Sequence, residues 1–418
     1  MMMKIADLET MPVPEYVYIP MTQNYSRHCM PFVAVGDHVK VGQPIAYSEA
    51  NKGAPIHASA SGEIVKITED ADLQGVDDKV IVIKTDQEQR VWEGVQPPKF
   101  DTRADFLKAL EQSGMIGMEG ACLATHAQLD EKSIENDKIL VINGAEWTKY
   151  TDFEWTLMKK DAEDIIEGAC LTMKFMGLEK CYIGVREGEA DAIRKLKACV
   201  TEKRLNTIEI VPLPQSCPPG SDRVVIYETT GDILAANNLP EDFGIVVASI
   251  SSIAFLGSYA KSGMPLVRRV ISVEGSAVKE PKNLMVPIGA QVSDIVEYCG
   301  GYVEEPKKLV MGGPAMGRNV PNGNVPLSKD NNSILAFREE EIPVREEISC
   351  KNCDSCKRVC PIHLDPEQLY DAFEAKDVHQ LKELGLEKCT ECGRCAFVCP
   401  AAKPLSYMIE QAKILIQS

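Results

Sequence analysis

The stretch "CKNCDSCKRVCP" at residues 350–361 returns at residues 389–400 as "CTECGRCAFVCP". Each copy reads Cys-x-x-Cys-x-x-Cys-x-x-x-Cys-Pro. The first supplies Cys350, Cys353, Cys356 and Cys360, the second Cys389, Cys392, Cys395 and Cys399, and Pro361 and Pro400 close them. Eight of the fifteen cysteines lie in these two runs. The spacing is that of bacterial-type ferredoxins, which hold [4Fe–4S] clusters. Three thiolates on one tight loop converge on three irons of a cube, and the fourth begins a segment that leads away. In two-cluster proteins that fourth cysteine serves the other cluster. The rule assigns Cys350, Cys353, Cys356 and Cys399 to one cluster, and Cys389, Cys392, Cys395 and Cys360 to the second. Zinc also uses Cys-x-x-Cys pairs, but its tetrahedron calls for neither a third cysteine at the same pitch nor the Cys-Pro ending. Disulfides are the other use of dense cysteines, and this crowding suits metals and a reducing compartment better.

Outward from this stretch, 418 residues are too many for one ferredoxin unit and predict several domains. An apolar fraction of 44% and a charged fraction of 26% are those of a globular protein with a usable core. A net charge of −17 argues against nucleic acid as a partner. Residues 1–20 lack a cationic segment followed by an apolar run, so no signal peptide is read. No apolar window reaches bilayer length. The longest, residues 245–256, is broken by three serines and reads as a buried strand entering a helix. These features predict a cytoplasmic protein that reaches a membrane only through partners. Most of the seven remaining cysteines read as small buried apolar residues.

Residues 16–85 read as short strands with turns at Gly36-Asp37, Gly42 and Ser61-Gly62. The pattern "GDHVKVGQPI" followed by "HASASGEIV" resembles the barrel-sandwich hybrid of biotinyl and lipoyl domains, without the lysine that carries a swinging arm. His57, in a strand turn, reads as structural. Residues 101–112 predict a helix leaving at Gly114, and "SGMIGMEGACLATH" follows. Its glycines at 114, 117 and 120 offer backbone N–H groups to a phosphate, or else mark a tight turn. Then strands at 138–144, 180–185 and 207–213 alternate with helices at 156–177 and 189–203, which predicts a mostly parallel sheet. Ligands in such sheets sit beyond the carboxyl ends of the strands, here near Gly117 and the Asn143–Glu146 turn.

Residues 268–301 change character: two strands, Pro287-Ile288-Gly289, a helix, then Gly300-Gly301. They resemble the soluble-ligand-binding β-grasp (SLBB) module, with Gly312-Gly313-Pro314 as a close backbone turn. Residues 318–348 read as an irregular connection. Asp365 with Pro366 starts a helix between the cysteine runs, and Leu405, Met408, Ile409, Ala412 and Leu415 mark a last amphipathic one.

The expected architecture is a multidomain α/β and β protein. It has a barrel-sandwich hybrid over residues 1–95, a Rossmann-like α/β domain over 100–262, the β-grasp over 266–318 and a helical two-cluster domain over 340–418. This order resembles RnfC, the C subunit of the Rnf complex (the ion-translocating ferredoxin:NAD oxidoreductase), and its soluble relatives, over nearly the whole chain. In that family the α/β domain is of the complex I flavin-subunit type, so the resemblance implies FMN, NADH and a chain of clusters. It implies cofactor-binding roles for Gly117, Gly120, Ala121 and Thr125, in register with a glycine-rich flavin loop, and for Asn143 and Glu146 of a second motif. The chain departs from the loop pattern at Glu119 and at Cys122-Leu123-Ala124, where Cys122 reads as a redox-active thiol or a buried replacement for threonine. A carboxylate at Glu119 would repel a flavin phosphate. A soluble relative, the electron-transfer protein associated with D-proline reductase, shares the architecture. The implied partners are therefore Rnf-type membrane subunits or a soluble reductase. Three readings stand: an NADH-oxidising electron carrier, an adaptor fed by a protein partner, and a docking scaffold in which the clusters stabilise the fold.

Overall fold

The computed structural model describes residues 7–23, 29–48, 53–68, 79–118, 124–131, 138–145, 150–151, 153–214, 221–235, 238–312, 318–339, 346–360, 362–389 and 393–417. The first module is built of two small sheets. In one, Val80–Thr85 lies between Tyr16–Pro20 and Gly62–Thr68, with His38–Val39 at the edge; the other joins Met30–Pro31, Pro44–Tyr47 and Ile56–His57. Alternation sets which side chains meet. Val17 and Ile19 point inward while Tyr16 and Tyr18 stay half-buried. Val17, Ile19, Ile45, Ile56, Ile64 and Ile83 fill the space between the sheets. Each such side chain contributes about 1.5–3 kcal/mol by leaving water.

The α/β module opens with the helix Arg103–Gln112. Thr102 and Asp105 form a capping box at its start, and Gly114 ends it at φ +67°. Four parallel strands follow in the spatial order Ile208–Leu213, Lys180–Arg186, Ile139–Gly144, Ile245–Ser249. The chain thus winds one way from Ile139–Gly144 and then returns to its other side. The two neighbours at that reversal are Ile139–Gly144 and Ile245–Ser249, and a doubly wound sheet binds ligands beyond such a pair. Expected as one helix, residues 156–177 are two, Phe153–Lys160 and Ala162–Met176. Asp161 leaves helical geometry between them (φ −114°, ψ 29°), as a residue poorly suited to helix interiors can. The break lets Phe153, Leu157, Met158, Ile165 and Ile166 all reach buried positions under the sheet. Ala162–Met176 then crosses Ile250–Ser262 with backbones almost touching. A Cβ on Gly168 would lie 2.1 Å from the Ile253 carbonyl oxygen, and one on Gly257 would lie 1.9 Å from that of Asp164.

The third module is a six-stranded sheet in the order Leu8–Thr10, Lys282–Pro287, Arg268–Glu274, Ser333–Phe337, Lys308–Met311, Arg318–Asn319, with the helix Val292–Tyr298 against it. Two features escaped the sequence. Leu8–Thr10 crosses from the amino terminus to pair in parallel with Asn283, Leu284 and Met285. Residues 318–348, expected to be irregular, contain Ser333–Phe337, whose five residues are all buried. The apolar run "SILAF" forms an interior strand because both of its sides are covered.

The carboxyl-terminal module repeats itself. Pro366–Glu374 and Leu405–Gln417 begin 39 residues apart, as the cysteines do. Asp354 and Gly393 hold left-handed backbone at one equivalent pair of positions, and His363 and Ala402 at another. The same turn recurs: the Cys360 N–H donates to the Lys357 carbonyl and the Cys399 N–H to that of Ala396. Asp365 caps its helix by accepting from the Gln368 N–H, with Pro366 at the first position. Among the described residues no helix is long and apolar enough to cross a membrane.

Candidate functional site

The two cysteine runs fold onto each other. One cavity, of about 40 Å³, is lined by Cys350, Cys353, Cys356 and Cys399 together with Tyr370 and Leu405. A second, of about 310 Å³, is lined by Cys360, Cys389 and Cys395 together with Leu364, Leu369 and Ile409. Cys392 lies outside the described residues. Each cavity therefore takes its fourth-position cysteine from the other repeat. The cause is local. Cys360 and Cys399 each follow a one-turn helix, Ser355–Arg358 and Arg394–Val398, that carries them away from their own loops. The Arg394 guanidinium donates to the Val359 carbonyl at 2.8 Å and ties the two short helices together.

The walls suit an iron–sulfur cube. Leu369, Leu405 and Ile409 are almost fully buried and give the cavities apolar walls, while Cys350 stays exposed. Backbone N–H groups point at sulfur: Leu364 at Cys360 (3.2 Å) and Asn352 at Cys350 (3.4 Å). Such bonds stabilise thiolate charge and set the potential of a cluster. Burial pushes the Cys356 thiol up, whereas hydrogen bonding to Ser355 draws Cys353 down from the ordinary thiol value. Among the described residues no three side chains of Cys, His, Asp or Glu gather closely enough to hold a single metal ion. The first cavity's four cysteines offer one thiolate for each iron of a cube.

The second candidate site lies at the reversal of the parallel sheet. Asn143, at the carboxyl end of Ile139–Gly144, is buried. It donates to the Asp222 carboxylate at 2.8 Å and accepts from the Ala145 N–H at 3.0 Å. Across from it Ser249 caps Ile250–Ser262, accepting from the Ser252 N–H, and the Ser252 hydroxyl accepts from the Met118 N–H at 3.2 Å. That bond brings the glycine loop to the sheet reversal. Other groups of the loop are also engaged. The Met115 N–H donates to the Ser113 hydroxyl, and the Ser113 carbonyl accepts from the Leu266 N–H. Gly117 is half-buried there. Thr125 begins the helix Thr125–Glu131, and its hydroxyl is buried with no hydrogen-bond partner. Among the described candidates its hydroxyl is a side-chain group with unmet capacity for a phosphate. Glu119, Gly120, Ala121, Cys122 and Glu146 lie outside the described residues.

Sequence reading missed the contribution of the β-grasp module. Lys329 is 1% exposed, and its ammonium donates to the carbonyls of Pro55 and Gly114, each at 2.7 Å. Arg269, also buried, donates to the Met118 carbonyl at 3.3 Å. Nothing in "PLSKDNNS" distinguishes Lys329 from a surface lysine. Ser249 was readable, since a serine before an apolar helix is a cap. His57 is buried, as a structural histidine would be, with desolvation and the nearby Lys329 lowering its pKa to about 3.

Comparison with known proteins accounts for all four modules in order. Residues 3–88 match the RnfC barrel sandwich hybrid domain, 110–257 the Nuo51 FMN-binding domain, 270–319 the SLBB domain and 342–400 a 4Fe-4S dicluster domain. The chain is 32% identical to the C subunit of the proton-translocating ferredoxin:NAD(+) oxidoreductase complex of Clostridium ljungdahlii, over 89% of this chain and 81% of that one. It is 32% identical to the Na(+)-translocating counterpart of Acetobacterium woodii, over 84% and 80%. With the C subunit of the ion-translocating oxidoreductase complex of Rhodobacter capsulatus it shares 31% identity over 91% and 74%. With four modules in one order and identity sustained along the chain, this protein belongs to the RnfC family, the C subunits of ion-translocating ferredoxin:NAD(+) oxidoreductase complexes.

Proposed function

We propose that this chain carries single electrons between a nicotinamide nucleotide and a second redox protein, as the C subunit of a membrane-bound complex of the Rnf type. It does so through two [4Fe–4S] clusters, one held by Cys350, Cys353, Cys356 and Cys399 and the other by Cys389, Cys392, Cys395 and Cys360. The observation that carries this reading is the crossing of Cys360 and Cys399 into each other's cavities. Clusters bound there supply one-electron acceptors close to one another. The chain's own part is to give the cavities apolar walls with Leu369, Leu405 and Ile409. Backbone N–H groups at Asn352 and Leu364 compensate the sulfur charge. Cysteines exchanged between repeats hold the two sites at a fixed separation. The protein works on the cytoplasmic side and meets the membrane through partner subunits.

A flavin in the α/β module, when bound, supplies the conversion of a two-electron donor into single electrons. The Thr125 hydroxyl is a described group fitted to its phosphate, with Gly117, Gly120, Ala121, Asn143 and Glu146 as the remaining candidates. One observation favours a second reading, in which electrons enter from a protein partner such as a soluble reductase. The N–H groups of Met115 and Met118 and the side chain of Asn143 are already committed within the protein. The test is anaerobic purification from the native host. Eight irons and eight sulfides per chain, copurified membrane subunits, FMN, and bleaching of cluster absorbance by NADH are the expected outcome. Clusters without FMN or NADH bleaching would select the protein-fed reading. Zinc or bare thiols in place of clusters would overturn both.

A further inference from the structure

The junction of the three amino-terminal modules is built around one cation. Lys329 enters it from the β-grasp module, Pro55 and His57 from the barrel, Gln112 and Gly114 from the α/β module. A Cβ on Gly114 would lie 2.7 Å from the Pro55 carbonyl oxygen, 2.9 Å from the Lys329 Nζ and 3.0 Å from the His57 Nδ1. Three modules therefore meet where a methyl group would not fit. Gly114 also sits at φ +67°, a conformation that disfavours a side chain for its own reason.

The hydrogen-bond inventory of this knot is specific. A protonated lysine has three N–H groups. Two reach the carbonyls of Pro55 and Gly114. The His57 Nδ1 is buried and has no partner, while the ring engages the backbone of Gln112. Lys329 acts on the neutral His57 ring through its charge, and the hydrogen bonds of its ammonium run to the two carbonyls. Among the described residues, the titratable groups that interact with Lys329 are His57 and Cys29, both buried in the barrel. Asp330, next in the chain, is turned to the Ser328 hydroxyl.

We propose that Lys329 is a positioning residue for the start of the glycine loop. It acts from the β-grasp module by clamping the Gly114 carbonyl to the barrel, and Arg269 holds the Met118 carbonyl from the same module. Residues 114–118 are thereby gripped at both ends by buried cations of a neighbouring module. This goes beyond the electron-transfer reading and does not require a flavin to be bound. Burial makes this ammonium give up its proton more easily than an ordinary lysine does, desolvation lowering the Lys329 pKa to about 7. Below that pH the ammonium supplies all three donors. Above it the amine keeps one N–H for each of the two carbonyls but loses the charge that strengthens both bonds. The grip on Gly114 therefore loosens as pH rises through neutrality.

The experiment is hydrogen–deuterium exchange on the full chain with its clusters in place, read as protection factors for peptides covering residues 113–118. The wild-type protein is expected to lose protection there, about tenfold, between about pH 6 and about pH 8.5. Lys329→Met is expected to show the low protection at both pH values, with protection in Tyr16–Pro20 and Ile139–Gly144 retained. Protection of residues 113–118 that is high and flat with pH in the wild type would overturn the proposal. So would a loss in Lys329→Met spread evenly over the chain. If Lys329→Met does not accumulate, the wild-type pH dependence decides alone.

Discussion

Cys360 and Cys399 occupy the same position in the two repeats, yet each lines the cavity of the other repeat's loop. The relationship predicts an unusual pattern of damage. Replacing Cys399 by Ser should harm the cluster bound by Cys350, Cys353 and Cys356, and Cys360→Ser the one bound by Cys389 and Cys395. Each variant should lose about half of its iron and sulfide. Cys399→Ser should also match Cys353→Ser, and not Cys389→Ser, in the spectrum of its surviving cluster. Electron paramagnetic resonance of the reduced proteins reads this directly. Matching within a run, Cys399→Ser with Cys389→Ser, would sink the exchange.

The repeat was legible because iron fixes its ligands by spacing, and spacing is written in the sequence. The modules were legible for a related reason: the apolar run in "KVIVIK" reports a strand buried on both faces, and periodicity in residues 189–203 reports one-sided burial. The position of Leu8–Thr10 was not. Three residues carry no pattern, and their partner lies more than 270 positions away. Lys329 was illegible for a physical reason as well. Its burial is satisfied by backbone carbonyls, which every residue has, so no complementary side chain marks it in the sequence.

The crossing of Ala162–Met176 over Ile250–Ser262 leaves no room at Gly168 and Gly257. In both cases the obstacle is a backbone carbonyl, which cannot rotate aside as a side chain can. Gly257→Ala and Gly168→Ala should each cost about 1–3 kcal/mol through forced separation of the helices, outweighing the gain of about 1 kcal/mol that alanine brings to a helix interior. Gly177→Ala is the control. It has open space, but its φ of +69° strains a side chain, so it should cost less than the buried pair. Urea midpoints of the α/β transition would check the ranking.

His57 supplies an acid-side prediction whose sign follows from its burial. Desolvation and the Lys329 charge depress its folded pKa to about 3, below the ordinary value of 6.5. The unfolded chain therefore binds more protons at this site between those values. The stabilisation is present above about pH 6.5 and is lost progressively as pH falls toward about 3. A gap of one pH step between folded and unfolded pKa corresponds to about 1.4 kcal/mol, so the loss is on the order of a few kcal/mol. His57→Gln, which cannot gain the proton, should flatten the decline of the urea midpoint across that window. A midpoint that falls as steeply in the variant as in the wild type would assign acid lability to other groups.

The Thr125 hydroxyl separates binding from stability. It is buried and makes no hydrogen bond among the described residues. Removing an unsatisfied hydroxyl relieves a desolvation penalty, so Thr125→Val should leave the protein as stable or raise its unfolding free energy by up to about 1 kcal/mol. A hydroxyl held ready for a phosphate has the opposite effect on the ligand. Loss of one hydrogen bond to a charged group costs about 1.5–3 kcal/mol, or roughly ten- to a hundredfold in FMN affinity. Flavin fluorescence titration alongside urea denaturation gives both numbers from one preparation. Weaker FMN binding at unchanged stability would assign the hydroxyl to the flavin phosphate. Unchanged FMN affinity would remove Thr125 from the site, and an absence of FMN binding in the wild type itself would leave the α/β module as a docking element for an electron-donating protein.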